Sequence, residues 1–344
     1  MRIGFFFRPA NPCGWRDAYV ADQIEAALAL GHVPVVFTMA EDAADLSLKG
    51  VETHVYTPPS FLPAALRLRL FHGWLVKEAP RHALDLTSGF GAGGLPDILV
   101  MRSVEECRLL AVCEHALPLD RIVIGLEKKA CAKASRVIAL SSRIRDELME
   151  AYDVPPERIR VVQPPFRKPA ESTLTRRELR AKYGIPQDRT VFLFPSFDLK
   201  RNGFDFLKRY FTSNPHDFML LAVGRPVTGN RFIKSVPRPE NMADVYRLAD
   251  YTLLAAPYDP VAANAWESVA CGTPVVAAEN IGELGELPEG ASRTFSPLEI
   301  NSLGLLMDGL AKTPLSLTCA PGICRAHASP THLQSILSEI INRN

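Results

Sequence analysis

The stretch from residue 250 to residue 286 constrains the fold of this chain more than any other. An apolar run of strand length, Tyr251 to Pro257, is broken almost at once by Asp259 and Pro260. Asp259 suits a helix N-cap, Pro260 suits the first helical position, and Gly272 suits a left-handed C-cap. A second run rich in valine and alanine follows the glycine. This order of strand, loop, short helix and strand predicts a parallel crossover in an α/β sheet.

Two acids make this crossover a candidate binding site. Asp259 is expected at the loop tip after the carboxyl end of a strand, where open α/β sheets bind ligands. Glu267 is expected about two turns along a helix that starts between Pro260 and Asn264 and stops at Cys271. The first helical N–H groups should lack partners and face phosphate. The arrangement suits a sugar diphosphate, because the N–H groups bind phosphate and the acids bind sugar hydroxyls.

The N–H groups in question belong to residues 261–264, which include Ala263 and Asn264. The alternative for Asp259 is a plain helix cap, and the alternative for Glu267 is a solvated helix carboxylate. For either acid alone the structural alternative is favoured, and only the pair together with the family resemblance given next favours a functional site.

The same residues carry a family resemblance. Tyr258 to Pro260, Asn264, Glu267 and the run Ala270 to Val276 resemble the acid-x7-acid signature of retaining GT-B glycosyltransferases. The likeness is closest to bacterial enzymes of lipopolysaccharide-core and surface-polysaccharide assembly. It implies an α/β fold with two Rossmann-like domains facing across a cleft. It also implies a retaining, hexosyltransferase-type enzyme that moves a sugar from a nucleotide-diphosphate donor to a saccharide or glycolipid acceptor without a bound metal.

The first acid departs from the family pattern. The family usually has glutamate there, whereas this chain has Asp259, which is shorter by one C–C bond of about 1.5 Å. Either the loop compensates or the acid has a lesser role. Two other readings therefore stay open: a sugar-nucleotide epimerase of similar fold, and a non-catalytic relative that binds a nucleotide sugar. By the resemblance, Glu267 would bind ribose hydroxyls, and Asp259 would be catalytic and hold the transferred sugar.

Composition excludes several classes of protein. The 344 residues, 47% of them hydrophobic, suffice for two domains with cores of ordinary size. The net charge of +1 gives no case for nucleic acid as a partner. The seven cysteines show no convincing zinc-binding spacing, and we expect them to be reduced and no metal or other cofactor to be bound. No run reaches transmembrane length, so a cytoplasmic protein is expected.

A proline-rich stretch near Pro164 marks the expected linker. We predict an acceptor-side domain at 1–164 and a nucleotide-sugar-binding domain at 165–327. The resemblance implies that a C-terminal helix at 328–344 packs back on the first domain.

The chain begins with a strand, a Pro/Gly loop, a helix and a second strand. Gly14 and Arg16 lie in this first loop and match the family's loop near the donor phosphates and acceptor, which implies donor binding. The alternative is that Gly14 merely makes the turn.

Arg102 follows the predicted strand Asp97 to Met101. Related transferases often place a catalytic or acceptor-binding polar group there, so Arg102 is a second candidate catalytic residue. It would stabilise the leaving diphosphate or bind an anionic acceptor. An ordinary surface arginine is an equal alternative.

A basic and apolar segment at 61–82 resembles a helix that lies at a membrane interface. It would suit a peripheral location at the inner face of a membrane with a lipid-linked acceptor. A packed helix with a solvated basic face explains the composition equally well.

The glycine-rich segment 88–94 formally contains GxGxxG, but no helix pattern follows it, so we predict a loop and reject a dinucleotide site.

Further basic residues lie in two loops of the second domain. Lys200 and Arg201 follow a predicted strand and resemble the family's diphosphate clamp, although Ser196 and Asn202 stand where many members have Arg and Lys. Arg238 lies in the loop that holds the nucleotide base in the family, and it is a further donor-binding candidate.

Overall fold

The computed structural model describes residues 1–7, 15–40, 50–162, 172–213, 217–315 and 317, without the side chains of 15–19 and 300. These residues fall into two compact units, one before residue 163 and one after residue 171. Gly14, the predicted domain boundary and the predicted helix at 328–344 lie outside the described residues.

The first unit is built on a parallel sheet with helices in the crossovers. Its strands are β1 (Arg2–Phe6), β2 (Val33–Met39), β3 (Glu52–Tyr56), β4 (Leu86–Phe90), β5 (Ile98–Met101), β6 (Arg136–Ala139) and β7 (Ile159–Val161). Its helices are α1 (Trp15–Ala29), α2 (Ala64–Glu78), α3 (Glu105–Ala111), α4 (Pro118–Lys133) and α5 (Ser142–Tyr152), with 3-10 turns at Ala79–His82 and Pro156–Arg158. The seven strands have the order β3-β2-β1-β4-β5-β6-β7, and every pairing is parallel.

Continuous apolar runs form these strands because helices cover both faces of a parallel sheet. All four residues of β5 are buried, as are all but the first residue of β2. Helix α2 covers one face by burying Leu68, Phe71 and Leu75. Phe71 and Leu75 lie in one cluster with Phe6 of β1 and Phe37 of β2.

The second unit repeats the same plan. Its strands are β8 (Val191–Ser196), β9 (Met219–Gly224), β10 (Ile233–Val236), β11 (Tyr251–Leu254), β12 (Val275–Ala278) and β13 (Ser292–Phe295). Its helices are α6 (Arg176–Lys182), α7 (Phe204–Ser213), α8 (Met242–Leu248), α9 (Ala263–Ala270) and α10 (Ile300–Lys312), with a 3-10 turn at Leu284–Glu286. The order β10-β9-β8-β11-β12-β13 is parallel throughout and reverses direction between β8 and β11. Ligands of such sheets bind where the order reverses, outside the carboxyl ends of the strands.

The predicted α/β class with two Rossmann-like units is confirmed, and the crossover at 250–286 exists as β11, α9 and β12. Its helix starts within the predicted interval between Pro260 and Asn264, but the predicted cap was wrong. Helix α9 begins at Ala263, and Ala262 precedes it in the left-handed region with φ 52°. Asp259 therefore is not the N-cap and Pro260 is not the first helical residue, because the loop makes a further turn before the helix. Gly272 is left-handed with φ +84°, as predicted.

The prediction of a loop at 88–94 was wrong for its first three residues, which belong to β4. Strand β4 lies between β1 and β5 in the middle of the sheet. A Cβ on Gly89 would come within 2.6 Å of the Pro96 ring. Glycine is therefore needed here for close packing of a central strand, and not for a phosphate-binding turn.

No helix among the described residues is long and apolar enough to span a bilayer.

Candidate functional site

The loop between β11 and α9 is held together by Asp259. One carboxylate oxygen, Oδ1, accepts the backbone N–H groups of Val261 at 3.3 Å and Ala262 at 3.1 Å. The Asp259 carbonyl accepts the N–H of Gly282 at 2.9 Å, which ties the loop to the segment after β12. The prediction that the N–H groups from residue 261 onward lack partners was therefore wrong for the first two.

The first two helical N–H groups differ from those of the loop. Within the described part of the chain, the N–H groups of Ala263 and Asn264 make no hydrogen bond. They carry the positive end of the α9 dipole and point out of the amino end of the helix. This end of α9 can therefore receive an anion.

Glu267 lies one turn further into α9 and is held by Tyr246 of α8. The Tyr246 hydroxyl donates a hydrogen bond of 3.0 Å to Glu267 Oε2. Burial raises the pKa of Glu267, while the Tyr246 hydrogen bond and the charge of Arg238 act to lower it. Burial, and then the Glu267 carboxylate, raise the pKa of Tyr246 well above its ordinary value, so its hydroxyl keeps its proton. The Glu267 carboxyl thus has a fixed orientation in a partly desolvated place.

Arg238 connects two loops at the carboxyl edge of this sheet. Its guanidinium lies 5.2 Å from the centroid of the Phe197 ring, in the loop after β8. Cation–π contacts of this length hold an exposed arginine over an aromatic face. Because its charge also reaches Glu267, Arg238 lies between the β8 loop and α9.

The loops after β8 and β11 meet at Gly203. This residue has φ +81°, and a Cβ there would lie 2.0 Å from the carbonyl oxygen of Ala255. Only glycine permits this approach. Lys200 and Arg201 lie in the same turn, in which Asp198 Oδ1 accepts the Arg201 N–H at 3.1 Å. The basic pair is therefore placed at the point where the strand order reverses.

The two departures from the family's basic motif have structural partners. The buried Ser196 hydroxyl donates to the carbonyl of Arg225 at 3.1 Å and joins the ends of β8 and β9. The Asn202 amide donates to the carbonyl of Pro195 at 2.7 Å and closes the turn. Both residues shape the loop that carries Lys200.

A buried polar network fixes the far end of α9. Ser268 Oγ lies 2.7 Å from both Thr252 Oγ1 on β11 and the carbonyl oxygen of Thr273. The Thr273 hydroxyl donates to the carbonyl of Tyr246 at 2.7 Å. Because all these groups are buried and bonded, α8, α9 and β11 hold one relative position.

The first unit carries its own candidate at the carboxyl end of β5, where the half-buried Arg102 lies. The start of α3 beside it is held by Glu127 of α4. Glu127 Oε2 accepts the Glu105 N–H at 3.1 Å and the Tyr152 hydroxyl at 2.5 Å. Burial raises the pKa of Glu127 to about 7, although the two hydrogen bonds and the charge of Arg102 act to lower it.

Comparisons with known proteins agree with this architecture. The family model described as Glycosyltransferase Family 4 matches residues 17–166. A protein of Burkholderia thailandensis, named "Probable transglycosylase", is 30% identical over 314 residues, which cover 90% of this chain and 86% of that protein. The chain belongs to glycosyltransferase family 4.

Another relative of this glycosyltransferase is the D-inositol 3-phosphate glycosyltransferase of Thermobispora bispora, 28% identical over 69% of this chain. The match spans only 56% of that relative's length. Among solved structures, WaaG, a glycosyltransferase involved in lipopolysaccharide biosynthesis, superimposes with a TM-score of 0.76 at 18% identity, covering 98% of this chain and 99% of WaaG. Anabaena HepE, solved with UDP and glucose, gives 0.70 at 15% identity, covering 99% of both chains. The two structures show that the fold is of GT-B type.

The candidate residues of this glycosyltransferase divide between the two units. Those of the second unit gather at the carboxyl edge of the six-stranded sheet: Lys200, Arg201, Arg238, Asp259, Ala263, Asn264 and Glu267. Arg102 lies at the carboxyl edge of the seven-stranded sheet. Arg16 lies in the first turn of α1.

Sequence reasoning missed the residues that hold this site in place. Tyr246 is 21 positions from Glu267 and has no motif of its own. Phe197 was not recognised as the ring under Arg238. Gly203 had a signal, since it follows the basic pair and precedes a helix, but only the distance to Ala255 shows why glycine stands there.

Proposed function

We propose that this family 4 glycosyltransferase is a retaining, hexosyltransferase-type enzyme that uses a nucleotide-diphosphate sugar. The acceptor in this proposal is a saccharide or glycolipid. The observation that supports it is the meeting of a basic turn, the open amino end of α9 and the oriented Glu267 carboxyl where the strand order reverses. The HepE structures, which hold UDP and UDP-glucose on the same fold, are consistent with such a donor.

In this proposal Glu267 accepts hydrogen bonds from the ribose hydroxyls of the donor. Two adjacent hydroxyls need an acceptor with a defined direction, and Tyr246 supplies that direction by donating to Oε2. Arg238, held over Phe197 with its charge reaching Glu267, would contact the nucleotide from the same side.

The departing diphosphate gains negative charge as the sugar–phosphate bond breaks. Lys200, Arg201 and the N–H groups of Ala263 and Asn264 offer positive charge and donors for it without rearrangement. We propose that these protein groups do this work with no metal in the transfer step. For the first unit, the proposal keeps the roles that the resemblance implies: Gly14 and Arg16 in donor binding, and Arg102 as a catalytic or acceptor-binding group.

Asp259 has a narrower role in this proposal than a free carboxylate would have. Its Oδ1 already accepts two loop N–H groups, so it would act on the transferred sugar through Oδ2. Asp259→Asn should keep the loop hydrogen bonds and lower transfer, because the amide loses the negative charge beside the developing positive sugar. If Asp259→Asn transferred sugar at the wild-type rate, the carboxylate would have no catalytic role.

The proposal extends to bacterial polysaccharide or lipopolysaccharide synthesis at the cytoplasmic face of the membrane. Helix α2 exposes Leu66, Arg69 and Leu70 on its outer side, and the preceding Phe61 is 84% exposed. Apolar and basic side chains on one outer face suit contact with anionic lipid. Flotation with vesicles of anionic and neutral lipid would test this contact.

The decisive test compares two basic pairs of the same unit. Lys200→Ala with Arg201→Ala should lower donor turnover by about a hundredfold, as expected for removal of preorganised charge stabilisation. The exposed pair on α7, Lys208→Ala with Arg209→Ala, is the matched control and should retain activity. Equal donor turnover by the two double variants would contradict the proposal that Lys200 and Arg201 bind the donor diphosphate.

A second measurement addresses the alternative activities. Purified protein is incubated with a panel of nucleotide sugars, with and without acceptors, and products are followed by NMR. Transfer with the anomeric configuration kept supports the proposal. Conversion of the free sugar nucleotide without an acceptor would instead indicate an epimerase. Nucleotide binding with no conversion of any kind would indicate a non-catalytic binding protein.

A further inference from the structure

We propose that Glu52, His54 and His82 form a binding site for one transition-metal ion of the Zn²⁺ type. The site lies in the first unit, on the edge strand β3 and the 3-10 turn that follows α2. Among the described residues, these three form the one group of His, Cys, Asp or Glu whose ligand atoms converge, all within 4.8 Å of one another.

The distances fit a small ion with nitrogen and oxygen ligands. His54 Nε2 lies 2.9 Å from Glu52 Oε1, and His82 Nδ1 lies 3.7 Å from the same oxygen. Zinc binds such atoms at about 2.0–2.2 Å, so tetrahedral ligands are about 3.4 Å apart. All three ligand atoms already lie within 4.8 Å of one another, so rotation of the side chains would bring them around one ion. Because Glu52 is partly exposed, water can take the fourth position.

Hydrogen bonding on one side of the His82 ring leaves the other ring nitrogen directed at the cluster. Its Nε2 lies 3.2 Å from Glu78 Oε1, so that nitrogen donates its N–H to Glu78. In a neutral imidazole the other nitrogen, Nδ1, then carries a lone pair. This nitrogen lies 3.7 Å from Glu52 Oε1, beyond hydrogen-bonding distance, so its lone pair is available to a metal ion that binds both atoms.

The groups around the three ligands are those of a metal-binding site. Metal-binding histidines regularly donate their other N–H to a carboxylate, which is the arrangement of His82 and Glu78. Glu52 Oε2 is held by Arg2 at 2.9 Å, so that Oε1 stays directed at the histidines. The His54 ring is stacked on Phe37, with centroids 5.1 Å apart, and is thereby fixed in orientation. Two preoriented imidazoles and one oriented carboxylate are a typical zinc donor set.

The position of the site indicates a structural role. Glu52 begins β3 and His82 precedes β4, so the cluster lies toward the amino ends of the parallel strands. Arg102 lies at the opposite, carboxyl edge of this sheet. A bound ion would tie the edge strand to the turn after α2. It would stabilise the first unit without taking part in sugar transfer.

The test uses the full chain, freed of metal with EDTA and then titrated with ZnCl₂ by calorimetry. We expect one ion per chain and a higher thermal midpoint when zinc is present. His54→Gln and His82→Gln should each weaken binding by at least about tenfold, and Glu78→Gln should weaken it by about tenfold through the outer hydrogen bond. The exposed His115, in the loop before α4, is the control, and His115→Gln should leave the affinity unchanged.

Cobalt distinguishes this site from the cysteines. Co²⁺ in place of zinc should show ligand-field absorption without a thiolate charge-transfer band, because the three ligands are nitrogen and oxygen. Circular dichroism would establish that each variant is folded. Unchanged zinc affinity in the folded histidine variants, or a thiolate band with cobalt, would overturn the proposal. Absence of saturable zinc binding by folded wild type would also overturn the proposal.

Discussion

The Tyr246 hydroxyl on α8 lies 3.0 Å from Glu267 Oε2 on α9, and the Tyr246 carbonyl accepts the hydroxyl of Thr273 beyond the same helix. One tyrosine therefore fixes both the candidate Glu267 carboxyl and the end of the helix that carries it. Tyr246 is fully buried, so its role is to position Glu267 and not to meet a ligand.

Tyr246→Phe should weaken nucleotide binding without unfolding the second unit. The variant keeps the ring and removes the hydrogen bond that holds Glu267 and lowers its pKa. The carboxyl should then bind a proton more readily and lose its direction. We expect the dissociation constant for the donor nucleotide to rise by about tenfold, since a hydrogen bond to a charged group is worth about 1.5–3 kcal/mol. Isothermal titration calorimetry measures this, with Tyr183→Phe of the same unit as control.

The pH dependence of the Tyr246 variant provides an independent check. Because the pKa of Glu267 rises when the hydrogen bond is lost, the ionised carboxyl should form at higher pH in Tyr246→Phe than in wild type. Nucleotide affinity should therefore recover as pH is raised. An affinity loss of the same size at every pH would indicate a packing defect instead.

Gly203→Ala should disrupt the contact between the loops after β8 and β11. The added methyl would lie 2.0 Å from the backbone oxygen of Ala255, and the residue has a left-handed φ of +81°. We expect a loss of stability of at least about 1–3 kcal/mol, because the backbone itself must move, together with weaker nucleotide binding. Gly309 on α10 is the control, since a Cβ there meets nothing within 4 Å. Gly309→Ala should be neutral or stabilising by about 0.5–1 kcal/mol, as measured by urea unfolding.

Ser268→Ala should loosen α9 from the sheet. The substitution leaves the buried Thr252 hydroxyl and Thr273 carbonyl without the Ser268 hydroxyl. Leaving buried polar groups unsatisfied costs about 1–3 kcal/mol. Urea unfolding of the variant should show this loss, whereas Ser292→Ala on the edge strand β13 should change stability little. A neutral Ser268→Ala would mean that the network does not hold the helix.

The first unit should become less stable between about pH 4.5 and pH 7 because of Glu127. Its pKa is about 7 in the folded chain and 4.5 for the free group, so the folded state binds more protons than the unfolded state in this window. The free energy of unfolding therefore falls as pH rises, by at most about 1.4 kcal/mol per pH unit for one group, and levels above pH 7.

Glu127→Gln isolates this contribution because glutamine can accept the same hydrogen bonds without ionising. The stability of wild type relative to Glu127→Gln should fall from pH 5 to pH 7 and stay constant above. Thermal unfolding in matched buffers measures the difference. A difference that does not change with pH would show that Glu127 is ionised throughout.

Local signals in the chain were enough for most elements of the second unit. The apolar run at 251–257 and the left-handed Gly272 predicted β11 and the end of α9 correctly. The start of α9 falls in the predicted interval, but its cap was misassigned because Asp259 and Pro260 satisfy the rules for a helix start as well as those for a loop. Only the left-handed Ala262 and the Asp259 hydrogen bonds distinguish the two.

The candidate site shows the same division. Asp259, Glu267 and the basic pair could be found from sequence, because each lies within a few residues of a strand end or helix start and short-range spacing places it on the carboxyl edge. The partners that orient these residues could not be found from the sequence. Tyr246, Phe197 and Ala255 are distant in the chain, and sequence spacing carries no distance between side chains of different elements.

The sequence by itself determined the fold class, the order of elements in the crossover and the residues available for chemistry, because backbone preference and apolar periodicity act over a few residues. The tertiary structure alone decided which carboxyl is oriented, where only glycine fits, and that Glu52, His54 and His82 meet. Those properties depend on packing between elements far apart in the chain, where burial and contact distances fix pKa values and hydrogen bonds.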